Sequence, residues 1–121
     1  MTPPTVLIAD DDKSIRTVLM QALGRSGYQV RCTGNAATLW RWVAEGEGDV
    51  VITDVVMPEM DGPTMVREAR QSRPDLPVLF MSGYAEEQLR KSIDLDKVAF
   101  LPKPFSVQEL AEAARKALTP V

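Results

Sequence analysis

Hydrophobic positions along the chain follow two alternating rhythms. Compact apolar runs at residues 5–9, 29–33, 50–53, 78–81 and 98–101 read as strands. Two of them, "VVIT" and "VLFM", are apolar almost throughout, as central strands covered on both faces should be. Between the runs the period lengthens to that of helices. Ile15, Val18, Leu19, Ala22 and Leu23 form one stripe, closed by Gly24 or Gly27. Leu39, Trp40 and Val43 form a second, stopped by "EGEG", with Trp40 rather than Trp42 on the packed side. A third helix opens at "GPTM", where Pro63 suits the first turn, and ends before Pro74. Residues 86–93 are thinly apolar and predict a fourth helix that is short or partly unwound. The last begins at Ser106, with Glu109 completing a capping box, and carries Leu110, Ala114, Ala117 and Leu118. Residues past Leu118 read as a linker or tail.

Five βα units within 121 residues predict one α/β domain spanning 1–121. Right-handed crossovers limit the order of its strands. The expected architecture is a flavodoxin-like (βα)5 doubly wound parallel sheet, order 2-1-3-4-5. In such sheets a ligand site lies at the carboxyl ends of the strands, near the switch between strands one and three.

The residues at those ends are chemically distinctive. Strand one runs into Asp10, Asp11 and Asp12; strand three into Asp54; strand four into Ser82; strand five into Lys103. Crowded carboxylates repel one another unless something positive neutralises them. Oxygen-only donors favour a hard divalent cation, Mg²⁺ above all. Asp12 is set apart from this group as the residue that caps the following helix. Beside such an ion, Asp54 can attack phosphorus and form an aspartyl phosphate. Lys103 would contact a phosphoryl oxygen and Ser82 would donate a hydrogen bond to another.

Composition narrows the alternatives. The chain holds no histidine, which removes the commonest general base and metal ligand, and its net charge of −3 argues against nucleic-acid binding. The single Cys32, in an alternating apolar run, reads as a half-buried thiol in a reducing cytoplasm. No signal peptide is seen and no apolar run approaches the ~20 residues of a membrane span, so a soluble cytoplasmic protein off the membrane is expected.

The chain resembles the receiver domain of two-component response regulators in "ADDD", "TDVVMPEMDG", "LFMSGY" and "LPKPF", in that order across nearly its whole length. The resemblance implies that Asp10, Asp11, Asp54 and the Val56 backbone carbonyl hold Mg²⁺, with Asp54 the phosphoacceptor. It implies that Lys103 is the phosphate contact, Ser82 the switch hydroxyl and Phe100 the switch aromatic, and that the Lys103–Pro104 bond is often cis. The implied partners are a histidine kinase or histidine phosphotransfer protein, with a homodimer as a further association. The domain would catalyse only its own phosphorylation and dephosphorylation, acting as a signalling module. Residues 1–58 are most like receivers of nitrogen-regulation activators. Residues 59–118 are more like receivers of hybrid histidine kinases, so the chain is a relative of both or a composite. A rival reading is a receiver-like interaction or dimerisation module that works without phosphate; another is a small phosphatase or phosphotransferase.

In "MPEMDG" Asp61 reads as a turn or cap residue, and Gly62 as a glycine chosen for its backbone conformation.

Overall fold

A computed structural model describes residues 3–55, 62–82 and 98–118, apart from the side chain of Ser82. Its elements run β1 (Thr5–Ala9), α1 (Lys13–Arg25), β2 (Gln29–Thr33), α2 (Ala36–Ala44), β3 (Val50–Asp54), α3 (Gly62–Ser72), β4 (Val78–Ser82), β5 (Val98–Pro102) and the C-terminal helix α4 (Val107–Leu118). The five strands form one sheet, β2-β1-β3-β4-β5, with every pairing parallel. The expected flavodoxin-like order is therefore the observed one. The fourth helix expected at residues 86–93 lies outside the described residues.

Alternation along β1 divides the core. Val6 and Ile8 face α1 and α4, packing with Leu19, Leu23, Leu110 and Ala114. Leu7 and Ala9 face α2 and α3, packing with Leu39, Val43, Met65 and Val66. All of these side chains are buried, so β1 and its neighbour β3 are covered on both faces. Among the described residues no helix is long and apolar enough to cross a membrane.

The predicted helix signals are seen in place. Asp12 caps α1, accepting from the Ser14 and Ile15 amides at 2.8 and 3.4 Å. Ser106 and Glu109 exchange hydrogen bonds of 3.2 and 3.0 Å before α4, the reciprocal pair of a capping box. Of the two glycines offered as the end of α1, Gly24 remains helical and Gly27, at φ 93°, makes the stop.

Several details differ from the sequence reading. Strands β3, β4 and β5 each run one residue further, so Asp54 and Ser82 are the last strand residues, not the first beyond. Val18 is 48% exposed, because the buried stripe of α1 is narrower and is set by Leu19, Ala22 and Leu23. Trp40 and Trp42 exchange places: Trp40 is exposed, while Trp42 packs on the core. Its ring is roofed by the Arg31 guanidinium at 4.1 Å, which in turn pairs with Glu47. That neighbour comes from the edge strand, which helical periodicity does not register.

Candidate functional site

Adjacent strands lie ~4.8 Å apart, so the carboxyl ends of β1 and β3 bring their terminal residues together. Asp10 follows β1 directly and Asp54 ends β3. Carboxylate oxygens of Asp10, Asp11 and Asp54 all lie within 4.8 Å of one another. Asp10 is fully buried, Asp54 half-buried and Asp11 exposed.

Lys103 starts beyond β5, two strands away from β3, a gap of roughly 10 Å. Its four-carbon stem spans that gap. The ammonium donates to Asp10 Oδ2 at 2.9 Å and to Asp54 Oδ2 at 3.2 Å. Burial acts to lower the pKa of Lys103. The hydrogen bond and charge of Asp10, and then the charge and hydrogen bond of Asp54, outweigh it and hold the pKa above its ordinary value. Lys103 is thus a firm cation. The Lys103–Pro104 peptide is cis, as the resemblance implies.

Asp10 is tied at every polar group. Its Oδ1 accepts from the Asp12 amide at 2.8 Å, and its own amide donates to the Thr33 carbonyl at 3.1 Å. Its carbonyl accepts from Arg16 Nη1 at 2.6 Å. Sequence reading passes over Arg16, a half-buried residue one turn into α1. The only signal for it is a lone arginine four residues past the capping aspartate.

Gly62 opens α3 directly against this edge. A Cβ there would stand 2.5 Å from the Asp54 carbonyl oxygen and 3.2 Å from Phe80 Cε1. Its φ is not in the left-handed region, which corrects the conformational reason read from sequence: space is what requires glycine here. Phe80 stacks on Phe100 with ring centroids 5.8 Å apart, so the half-buried Phe100 is joined through Phe80 to the edge where Gly62 meets Asp54. Ser82 ends β4 between Asp54 and Lys103, opposite Pro102 in register. Its hydroxyl lies outside the described side chains, and Val56 and Asp61 lie outside the described residues.

The family profile of the response regulator receiver domain matches residues 6–115. The chain belongs to the response regulator receiver family. This receiver is 49% identical over 121 residues to the DNA-binding transcriptional regulator NtrC of Azospirillum brasilense, an alignment covering 98% of the chain and 25% of that protein. It is 42% identical over 117 residues to the sensor kinase CckA of Brucella abortus, covering 94% of the chain and 12% of the kinase. Both kinds of relative anticipated from the sequence are therefore found, and neither alignment stops near residue 58. The signal receiver domain of an HD domain-containing protein from Pseudomonas fluorescens superposes with TM-score 0.86 at 29% identity, covering 98% of this chain and 88% of that one. The receiver spans a quarter or less of these two full-length relatives.

Proposed function

We propose that residues 1–121 form a single receiver domain that takes a phosphoryl group onto Asp54 in a Mg²⁺-dependent reaction. The bridge of Lys103 from buried Asp10 to Asp54 carries this reading. Among the described residues, three carboxylates against one ammonium leave two negative charges in excess, the charge of one divalent cation. An all-oxygen donor set suits Mg²⁺. Asp10, Asp11, Asp54 and the Val56 carbonyl would hold the ion, which when bound screens the charge of the incoming phosphoryl group.

The donor is a phosphohistidine on a histidine kinase or phosphotransfer protein. An Asp54 carboxylate oxygen attacks phosphorus, the P–N bond breaks, and the imidazole leaves with the electron pair. Lys103 already lies against the nucleophile and passes its hydrogen bond from Asp54 to a phosphoryl oxygen. The Ser82 hydroxyl takes a second phosphoryl oxygen, and Phe100, stacked on Phe80, moves with it to change the signalling surface. Hydrolysis of the acyl phosphate restores the starting state, so the domain is a cytoplasmic signalling module and not a turnover enzyme.

The test is incubation with Mg²⁺ and acetyl phosphate, read by intact mass. A gain of one phosphoryl group that requires Mg²⁺ and is absent in Asp54→Asn is expected. Labelling that survives Asp54→Asn, or no labelling of the wild type, overturns the reading.

A further inference from the structure

The geometry points to Arg16 as a positioning residue for the acidic pocket, acting through the Asp10 carbonyl to aim the Asp11 carboxylate. This rests on the Mg²⁺ reading above. Asp10 and Asp54 are each held through their side chains by Lys103. Asp11 differs: it is exposed, and among the described residues no hydrogen bond or ion pair holds its carboxylate. The peptide that precedes it places the Cα from which that carboxylate projects. The carbonyl of that peptide belongs to Asp10 and is gripped by Arg16 Nη1 at 2.6 Å. Because a peptide unit is planar, fixing the carbonyl fixes the Asp11 amide and with it the Cα from which the carboxylate projects.

The guanidinium occupies a space that the β2–α2 connection leaves open. A Cβ on Gly34 would stand 2.9 Å from Arg16 Nη1, 3.5 Å from its Cζ and 3.8 Å from the Asp10 carbonyl oxygen. Gly34 has no left-handed φ, so the backbone would accept alanine and the displaced group would be the arginine head. The backbone of Arg16 is anchored independently, its amide donating to the Asp12 carbonyl at 3.1 Å. Gly34 and Arg16 therefore form one device, a slot and the side chain that fills it.

Sign separates positioning from charge. Removing a cation beside a cation site should tighten Mg²⁺ by electrostatics alone. Losing a positioning contact should weaken it, by about 10- to 100-fold where outer partners of metal ligands have been removed. Mg²⁺ affinity is measured by isothermal titration calorimetry on the folded wild type, Arg16→Met, Gly34→Ala and the double variant, with Asp11→Asn as control. Arg16→Met and Gly34→Ala should each weaken binding by about 10-fold or more, and the double variant should be no weaker than Arg16→Met alone. Unchanged or tighter binding by Arg16→Met overturns the inference and leaves the metal reading intact. Equal losses from Gly34→Ala with and without Arg16 also overturn it. If Arg16→Met does not fold, Gly34→Ala decides, since it keeps the charge. Failure of the wild type to bind Mg²⁺ overturns both readings.

Discussion

Replacing Lys103 by methionine isolates the electrostatic debt of the pocket. The substitution keeps most of the stem and removes two charge-assisted hydrogen bonds, at 2.9 and 3.2 Å. Asp10, with no exposed surface, then keeps, among the described residues, only the Asp12 amide on its carboxylate. Breaking a fully buried ion pair costs about 3–5 kcal/mol, whereas an exposed one is worth about 0–1. The Lys103 side chain is 24% exposed, so water partly relieves the loss, and about 2 kcal/mol lies between those limits. For a chain of this length that is a fall in Tm of about 8 °C. The assay is urea unfolding in chelator at pH 7, followed by the fluorescence of Trp40 and Trp42. In an Asp10→Asn background the buried charge is gone, and the same lysine replacement should cost less than about 1 kcal/mol. Excess Mg²⁺ should return part of the stability lost by the single variant. A loss below about 0.5 kcal/mol, or an equal loss in both backgrounds, refutes the reasoning.

The neighbouring aspartates should separate cleanly. Asp11→Ala is expected to abolish measurable Mg²⁺ binding and acetyl phosphate labelling, while Asp12→Ala spares both and costs about 1 kcal/mol as a lost helix cap; titration calorimetry and urea unfolding read the two effects. Burial pushes the Cys32 thiol up to about 11 despite the nearby charge of Arg16, so native protein should react slowly with a disulfide reagent at pH 8 and rapidly once unfolded. Because the folded pKa is raised, this thiol's contribution to stability is complete below the unfolded pKa and is lost as pH rises through about 11. Fast native labelling at pH 8 would contradict the burial.

The pocket was legible because apolar runs fix the sheet, and the sheet decides which residues meet. Asp10 and Asp54 follow from β1 and β3 being neighbours, and Lys103 from its reach across β4. What escaped the sequence depends on contacts between elements. Arg16 sits on the flank of α1 and is indistinguishable there from a solvated arginine; its partner carbonyl belongs to the turn behind it. Trp42 is packed because Arg31 of β2 covers it, against the angular preference of its own helix. Gly62 suggests a turn when read in "MPEMDG", yet its meaning is the distance between α3 and the end of β3.

The bond from Lys103 to Asp10 joins residues 93 apart in sequence, one just after the first strand and one just after the last. No fragment that stops short of β5 contains both halves of the pocket. A nascent chain still lacking its final strand thus holds the acids without their counter-charge. On the proposed reading, competence to take a phosphoryl group would arrive only once β5 is in place, and a phosphodonor that labels Asp54 would count domains that have reached that stage.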